Sequence, residues 1–279
     1  MERRYFGPGK REVAVIGQGT WYIEDSDRKR AIAGLRHGLD LGATHIDTAE
    51  MYGNEKEVGE AIAKSDVNPD EVFVTSKLNN NYHGFDAALR AFDRTWEALD
   101  LGRVDLFLIH WPLPTLGDFM DTWRALERIY QEGRAKAVGV SNFEIAHLQR
   151  LVGASEVVPA ANQIELHPYL TQAPLRAFDA QTDIATEAWS PIAQGGVLDD
   201  PGIVSIAQRQ ERTPAQVVLR WHIQLGNVVF PKSTTPQRIR ENFQIFDFEL
   251  DANDMAAVSG LNRDERTGPD PNTFDYVPE

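Results

Sequence analysis

Residues 42–59 read GATHIDTAEMYGNEKEVG, and the fold is predicted outward from them. Residues 45–47 are typical of a short strand, and residues 53–55 begin an amphipathic helical pattern. Asp47 and Tyr52, two groups that can handle protons, lie between these elements. An ionisable group at a strand end, followed by a loop and a helix, is typical of the active-site face of a (β/α)8 barrel. The alternative is that Asp47 caps the next helix and Tyr52 is an amphipathic residue at the rim.

The same alternation of strand and helix continues along the chain. Eight short apolar runs are each followed by a helical pattern, and they are residues 13–16, 45–47, 72–75, 104–109, 135–140, 158–164, 184–189 and 227–230. Alternation of this kind implies parallel pairing, and eight units in 279 residues favour a single-domain α/β fold, the (β/α)8 TIM barrel. The alternative is an open doubly wound sheet, but the first turn lacks the Gly-x-Gly-x-x-Gly fingerprint of that fold.

The predicted barrel core spans about residues 13–262, and a tail follows at about residues 263–279. Between the seventh and eighth strands, residues 202–210 and 213–224 both have helical patterns, so one helix is an addition to the basic repeat. The tail is rich in Pro, Gly and Asp and is predicted to be extended or mobile. The first helix is predicted to begin at Asp27, with an apolar face that includes Ala31, Leu35, Leu39 and Leu41.

Composition excludes several classes of function. A net charge of −14 argues against nucleic acid and anionic membrane surfaces as partners. The absence of cysteine excludes disulfides and thiolate ligands, and the histidines show no metal-binding spacing, so we expect no metal. No apolar run approaches the roughly eighteen residues of a membrane span, and residues 1–10 lack the apolar stretch of a signal peptide. We therefore expect a cytoplasmic protein, and we expect it to be a monomer.

Polar residues end several of the predicted strands, and in a barrel these positions meet on one face. They are Asp47, Lys77, His110, Asn142, Gln163, Ser190 and Lys232.

Lys77 follows an apolar run, where a buried lysine needs a carboxylate partner or must lose its proton. Asp47, one strand away, is the predicted partner. If Tyr52 comes close to Lys77, the ammonium lowers the pKa of the phenol from its usual value of about 10. Tyr52 would then donate a proton to a carbonyl oxygen as a hydride arrives at the carbon, while His110 orients that oxygen by a hydrogen bond. The alternative for His110 alone is a satisfied, half-buried histidine.

Residues 230–242 combine a helix start with positive charge. Thr235 and Pro236 predict the helix start, so the N-terminus of the helix points at Lys232, and Arg238 lies in its first turn. This is the usual position of a phosphate after the eighth strand of a barrel. Against a net charge of −14, the cluster favours an anionic ligand. The alternative is an ordinary surface helix with solvated charges.

Together these motifs resemble the aldo-keto reductase family, and they are closest to its bacterial 2,5-diketo-D-gluconate reductase-like members. The resemblance runs in order from about Val13 to Phe246. It begins with the motif His-Ile-Asp-Thr-Ala-x-x-Tyr-Gly-Asn-Glu at His45 and the strand that ends at Lys77. The remaining motifs are His110-Trp111-Pro112, Gly139 to Asn142, Asn162-Gln163, and Pro231-Lys232-Ser233 with Arg238, Glu241 and Asn242.

The resemblance implies an oxidoreductase that reduces aldehydes or ketones to alcohols by hydride transfer. It also implies that the barrel binds NADP(H) without a Rossmann domain. The implied catalytic residues are Asp47, Tyr52, Lys77 and His110, with Tyr52 as the proton donor. The implied cofactor-binding residues are Gly19, Thr20, Trp21, Ser141, Asn142, Gln163, Trp189, Ser190, Lys232, Ser233, Arg238, Glu241 and Asn242.

Within this set, the resemblance divides the residues among three parts of the cofactor. Trp189 would stack on the nicotinamide ring, and the carboxamide of that ring would be held by Ser141, Asn142 and Gln163. The 2′-phosphate would be held by Lys232, Ser233 and Arg238. The adenine would meet Glu241 and Asn242.

Aromatic residues near strand ends are the candidate walls of a pocket for small carbonyl substrates. They are Trp21, Tyr22 and Trp111, with the tail residues Phe274 and Tyr276 as further candidates. For Trp21 and Tyr22, the alternative is a packed cluster at the barrel rim.

The chain departs from the family pattern at positions that leave substrate identity open. Trp189 stands where many members have tyrosine, and Asn79 stands where many have an aromatic residue. Two alternatives to a reductase also stay open. One is a nucleotide-binding regulatory or structural barrel of the same family with little turnover, which the intact Tyr52 and Lys77 disfavour. The other is a phosphate-sugar enzyme, which only the cationic cluster supports.

Overall fold

The computed structural model describes residues 2–6, 10–21, 28–117 and 119–278. It contains an eight-stranded parallel sheet that curls into a barrel, so the predicted (β/α)8 fold is confirmed. The strands are β1 (Arg3–Phe6), β2 (Arg11–Ala14), β3 (Gln18–Gly19), β4 (His45–Asp47), β5 (Phe73–Leu78), β6 (Leu106–Ile109), β7 (Val138–Ser141), β8 (Ala161–Glu165), β9 (Ala185–Trp189) and β10 (Val228–Val229).

The barrel consists of β3 to β10 in chain order, and it closes between its first and last strands. Ile16 forms a parallel bridge with Val229, and the Gly17 N–H donates to the Val229 carbonyl at 2.9 Å. Gly17 is required at this seam because a Cβ there would lie 2.6 Å from the His45 carbonyl oxygen. The strands are therefore held in a closed ring.

The prediction that residues 13–16 form the first barrel strand is right only for Val15 and Ile16, which pair with Val229, and is wrong for Val13 and Ala14. β2 ends at Ala14 and pairs antiparallel with β1, so these strands form an N-terminal hairpin, and the barrel begins at β3. Residues 13–16 are all buried. A run without alternation does not distinguish a hairpin strand from a barrel strand, which explains the error.

The helices pack around the outside of the barrel. They are α1 (Arg28–Asp40), α2 (Glu55–Ala63), α3 (Phe85–Leu99), α4 (Phe119–Gln131), α5 (Ile145–Ala154), α6 (Ala173–Gln181), α7 (Pro201–Gln210), α8 (Pro214–Gln224), α9 (Pro236–Phe243) and α10 (Ala252–Ser259). Both α7 and α8 lie between β9 and β10, which confirms the predicted additional helix. None of the helices in the described residues is long and apolar enough to cross a membrane.

Two details of the first and eighth helices test the sequence patterns. Thr213 caps α8, since its hydroxyl accepts from the Gln216 N–H at 3.2 Å and the Gln216 side chain returns a bond to the Thr213 N–H. Leu41, predicted on the apolar face of the first helix, instead follows the end of α1 and is 37% exposed. Asp27, the predicted start of that helix, lies outside the described residues.

Side chains along each barrel strand alternate between the inside and the outside. In β5, Val74 packs outward against the helices, whereas Phe73 faces inward. The Phe6 ring from the hairpin packs edge-on against Phe73, with ring centroids 5.9 Å apart. Leu106, Leu108 and Phe230 belong to the same inner cluster. This apolar plug closes the N-terminal end of the barrel and leaves the opposite end to polar residues.

The C-terminal tail crosses the polar end of the barrel. Residues 262–278 form neither helix nor strand, but hydrogen bonds tie them to the barrel loops. Thr267 Oγ1 donates to Glu165 Oε1 at 2.6 Å, and Asn80 Nδ2 donates to the Tyr276 carbonyl at 2.9 Å. The tail is therefore part of the wall around the active-site face.

Helix packing generates a prediction at Gly59, which lies in α2 where a Cβ would stand 2.0 Å from the Leu99 carbonyl oxygen. We expect Gly59→Ala to lower the free energy of unfolding by about 1–3 kcal/mol, because the helices must move apart. The matched control is Gly153→Ala in α5, where nothing lies within 4 Å. That change should stabilise the protein by about 0.5–1 kcal/mol. Urea unfolding measures both, and equal effects would contradict the close packing of α2 on α3.

Candidate active site

A buried ion pair stands at the carboxyl ends of β4 and β5. Lys77 Nζ lies 2.8 Å from Asp47 Oδ1 and 2.9 Å from Oδ2, and it donates to the Thr48 carbonyl at 2.9 Å. The Lys77 and Asp47 side chains are 1% and 7% exposed. Burial alone would lower the pKa of Lys77, but the charge of Asp47 and of its other neighbours outweighs it, so the pKa is raised. Lys77 is therefore a buried cation at neutral pH.

Tyr52 reaches this pair from a single 3-10 turn, Glu50–Tyr52, that follows β4. Gly53 ends the turn with a φ of 62°, a conformation that glycine adopts without strain. Lys77 Nζ lies 5.2 Å from the centroid of the Tyr52 ring. The short turn thus brings the phenol beside the buried ammonium.

The expectation that Lys77 brings the pKa of Tyr52 below its ordinary value is wrong. Burial raises the pKa of Tyr52, and the Lys77 ammonium offsets only part of that rise. The physical reason is that a buried phenolate loses its hydration, and this loss outweighs the attraction of one nearby cation. Tyr52 therefore carries its proton at neutral pH.

His110 follows β6 and faces Tyr52, with ring centroids 5.8 Å apart and the rings at 74°. Burial, and secondarily the Lys77 charge, hold the pKa of His110 well below its ordinary value, so the imidazole is neutral. Its Nδ1 has no hydrogen-bond partner among the described residues. The alternative of a satisfied histidine does not fit this unpaired nitrogen. A neutral imidazole keeps one N–H, which can donate one hydrogen bond.

A network of polar side chains links the ends of β7, β8 and β9. Asn142 Nδ2 donates to the His110 carbonyl at 2.9 Å, and Trp189 Nε1 donates to Asn142 Oδ1 at 2.8 Å. Asn142 has a φ of 63°, a left-handed conformation in which asparagine is enriched. Ser141 Oγ donates to the Gln163 carbonyl at 2.8 Å. The structure therefore brings the residues that the resemblance assigns to the nicotinamide into one hydrogen-bonded group.

Gln163 connects that group to the ion pair. Its Nε2 donates to Asp47 Oδ1 at 2.7 Å and to Glu187 Oε2 at 2.9 Å. Glu187, on β9, is fully buried, and no motif of the sequence singled it out. The available signal was a carboxyl group two residues before Trp189 in a strand, which puts both on the same side. Despite these carboxyl groups, the described residues contain no group of three metal-binding side chains.

A cleft lies between α1 and the start of α9, and four of the predicted cofactor residues line it: Gly19, Lys232, Ser233 and Asn242. The Thr235 side chain makes no capping bond to α9, which differs from the predicted cap. Instead, Ser233 Oγ accepts from the Thr235 N–H at 3.2 Å. Pro236 occupies the first turn, as its fixed φ favours.

Lys232 is exposed at this cleft, and Arg238, which does not line the cleft, is exposed in the first turn of α9. Within the part of the chain that the structure describes, neither cation forms an ion pair, whereas Glu241 accepts from Gln237 Nε2 at 2.8 Å. Both cations therefore lie near the N-terminus of α9, where the helix dipole favours negative charge.

The other predicted cofactor residues lie at the ends of β3 and β9. Thr20 Oγ1 donates to the Asp47 carbonyl at 3.0 Å, which ties β3 to the ion pair. Gly19 permits a close approach, because a Cβ there would lie 3.0 Å from a neighbouring backbone carbonyl. Ser190 has a φ of 48° directly after β9, and Trp21 is 46% exposed after β3.

Aromatic side chains of the loop after β6 and of the tail pack against one another. The Trp111 ring, 7% exposed, lies 4.3 Å from the Phe274 ring, measured between centroids. Tyr276 follows, with its ring centroid 6.3 Å from that of Phe274. The tail therefore packs against Trp111, one of the residues predicted to line a substrate pocket. Tyr22, the remaining pocket prediction, lies outside the described residues.

The sequence matches one protein family over most of its length. The model of the Aldo/keto reductase family matches residues 15–263. An aldo-keto reductase of Mycobacterium sp. (strain JLS) is 48% identical over 265 residues, covering 95% of each chain. Methylglyoxal reductase DkgA of Yersinia pestis is 44% identical over 267 residues, covering 95% of this chain and 94% of the relative. The chain belongs to the aldo/keto reductase family.

Solved structures agree with this assignment. The crystal structure of a Gox0644 mutant in complex with NADPH has a TM-score of 0.93 and 41% sequence identity, covering 99% of both chains. The resemblance inferred from the motifs is confirmed. The match to DkgA agrees with the expected similarity to bacterial members of the family. The protein is an oxidoreductase of this family.

The buried ion pair generates a prediction about stability. Asp47→Asn removes the charge opposite Lys77, which stays buried and must then carry an uncompensated charge or lose its proton. We expect the free energy of unfolding to fall by about 3 kcal/mol, because an uncompensated buried charge is costly. The control is Glu60→Gln, which removes the same charge from the exposed Lys64–Glu60 pair and should leave the denaturation midpoint unchanged. Equal midpoints for both variants would show that the Asp47 charge is not needed to bury Lys77.

Proposed function

We propose that this protein reduces small aldehydes and ketones to alcohols with NADPH, and that Tyr52 donates the proton. One observation carries the proposal. A protonated phenol lies beside a buried ammonium, Lys77, and 5.8 Å from the ring of neutral His110. The NADPH bound to Gox0644, whose chain is 41% identical, supports the choice of cofactor.

Tyr52 fits the part of a general acid. Burial raises its pKa, so the hydroxyl is protonated at neutral pH and available to the substrate. NADPH, when bound, supplies the hydride that reaches the carbonyl carbon. As negative charge develops on the carbonyl oxygen, that oxygen takes the Tyr52 proton, and the alcohol is complete. The Lys77 ammonium stabilises the phenolate that is left, and Asp47 keeps Lys77 in position.

His110 fits the part of an orienting donor. Because the pKa of His110 is held well below its ordinary value, the imidazole is neutral and does not act as the proton donor. A single N–H aimed at the carbonyl oxygen holds the substrate in the orientation that Tyr52 needs. The aromatic wall of Trp111 and Phe274 would then contact the apolar part of the substrate.

The network at the ends of β7 to β9 fits the nicotinamide. Asn142, Ser141 and Gln163 present amide and hydroxyl groups that match a carboxamide, and they are already linked to His110 and to the ion pair. Trp189 is fixed by its bond to Asn142 and offers a flat ring for stacking. The nicotinamide would therefore lie next to Tyr52, as hydride transfer requires.

The cationic cleft fits the other end of the cofactor. Lys232, Ser233 and Arg238 would hold the 2′-phosphate, which distinguishes NADPH from NADH, and Glu241 with Asn242 would meet the adenine. The N–H groups at the start of α9 add to the attraction for an anion. The remaining predicted contacts, Gly19, Thr20, Trp21 and Ser190, would flank the cofactor between its two ends.

Replacing Tyr52 with phenylalanine tests the proton donor. Tyr52→Phe should lower kcat by about 10²–10⁴-fold across a panel of small carbonyls, because only the acidic hydroxyl is lost. The Kd for NADPH, followed by quenching of tryptophan fluorescence, should stay within about twofold, since the ring still fills its place. Tyr130→Phe in α4 is the control and should behave as wild type. Retained turnover in Tyr52→Phe would exclude Tyr52 as the proton donor. If the wild-type protein binds NADPH but reduces no carbonyl compound, the alternative of a non-catalytic barrel is favoured.

A second experiment tests cofactor selectivity. Lys232→Ala with Arg238→Ala should raise the Kd for NADPH roughly 10²-fold, because two charge-assisted hydrogen bonds to the 2′-phosphate are lost. The Kd for NADH should hardly change. The control is Arg124→Ala with Lys136→Ala, which removes the same charge elsewhere on the surface and should leave both constants unchanged. Equal binding of NADPH and NADH by the wild type at low salt would contradict the assignment.

A further inference from the structure

Glu187 is a buried carboxyl group that the proposed chemistry does not use. It is fully buried on β9, where it pairs in register with Gln163 of β8 and Val228 of β10. Its Oε2 accepts from Gln163 Nε2 at 2.9 Å. Its Oε1 has no partner within the described residues. A carboxyl group is costly to bury, so its single bond to Gln163 is the feature to explain.

The Gln163 amide is held by both of its N–H groups. In the described part of the chain, Nε2 makes both side-chain hydrogen bonds of Gln163, one to Asp47 Oδ1 at 2.7 Å and one to Glu187 Oε2 at 2.9 Å. An amide nitrogen has two N–H donors, and here each has its own acceptor. The side-chain amide oxygen of Gln163, Oε1, must then point away from both carboxyl groups. Without Glu187, one N–H would lose its acceptor and the amide would no longer be held in one orientation.

We propose that Glu187 is a positioning residue that fixes the side-chain amide of Gln163. In this orientation, Gln163 Oε1 faces the carboxamide of the nicotinamide. That oxygen accepts a hydrogen bond from the carboxamide NH2 group. Glu187 itself touches neither cofactor nor substrate and acts through Gln163. The inference rests on the proposed function, since it requires the nicotinamide to lie beside Gln163.

The charge state of Glu187 suits this task. Burial, followed by the neighbouring charge of Asp47, raises its pKa to about 8, so the carboxyl is mostly neutral at pH 7. The charged groups that face it are Asp47 and Lys77, while its register partners on β8 and β10 are Gln163 and Val228. A neutral carboxyl still accepts from Gln163 through Oε2, with its proton on Oε1. It does so without placing a second anion beside the Asp47–Lys77 pair.

The test compares two cofactors that differ only at the carboxamide. Reduced 3-acetylpyridine adenine dinucleotide phosphate carries a methyl group where NADPH carries the NH2 group. Glu187→Leu should raise the Kd for NADPH roughly 5–10-fold, the size of one lost hydrogen bond, and change the Kd for the analogue less than about twofold. Glu187→Gln keeps the shape and a neutral acceptor, so it should bind both cofactors as wild type does.

The matched control is Asp179→Asn. Asp179 is also a buried carboxyl with a raised pKa of about 7, which comes chiefly from burial. It lies on α6 and accepts at 2.9 Å from Thr186, the residue before Glu187. Since Thr186 faces away from the barrel interior, Asp179→Asn should leave both dissociation constants unchanged.

Three outcomes would overturn the inference. One is an unchanged Kd for NADPH in Glu187→Leu, and another is an equal loss of both cofactors, which would indicate general damage to the packing. The third is a loss in Glu187→Gln as large as that in Glu187→Leu. If Glu187→Leu does not fold, Glu187→Ala gives the same comparison. Failure of the wild type to bind NADPH at all would overturn the proposed function as well, so the two failures are distinguishable.

Discussion

The ion pair between Lys77 and Asp47 is the interaction on which the rest of the active site depends. A lysine that is 1% exposed stays charged only because a carboxylate lies 2.8 Å away. The barrel makes this possible, since parallel neighbours β4 and β5 point the two side chains into the same interior. The apolar plug around Phe6 and Phe73 closes the opposite end of the barrel. Thr48, Gln163 and Tyr52 are then placed by their contacts with the pair.

Burial leaves the site with one ion pair, because it disfavours charge on the other titratable groups, whereas Lys77 keeps its charge through its carboxylate partner. It keeps Tyr52 protonated, His110 neutral and Glu187 largely neutral, while Asp47 and Lys77 compensate each other. The site is therefore almost neutral overall, which suits the transfer of a hydride and a proton to an uncharged carbonyl. The region around the start of α9 is different, because Lys232 and Arg238 are exposed there and form no ion pair within the described residues, where we propose that they hold the 2′-phosphate. The two ends of the proposed cofactor thus meet opposite electrostatic conditions.

Much of the fold was predictable because its signals are local. Strand–helix alternation, the cap at Thr213 and the polar residue at each strand end depend on neighbouring positions in the chain. The errors occurred where local pattern is ambiguous. Residues 13–16 are buried whether they belong to a hairpin or to a barrel strand, and Leu41 continues the apolar spacing of α1 although the helix has already ended. The pKa of Tyr52 was predicted in the wrong direction because the depth of burial is not a local property.

The sequence by itself determined the barrel, the family and the residue types available for chemistry, since each follows from short motifs and their order. Only the tertiary structure decided which of those residues meet and in which charge state. Gln163 and Asp47 lie 116 positions apart, yet barrel closure brings them to 2.7 Å. Glu187 belongs to no motif, and only the structure shows that it is a fully buried acceptor of a Gln163 N–H. The physical reason is that distance and desolvation arise from packing of the whole chain, whereas motifs record only neighbours.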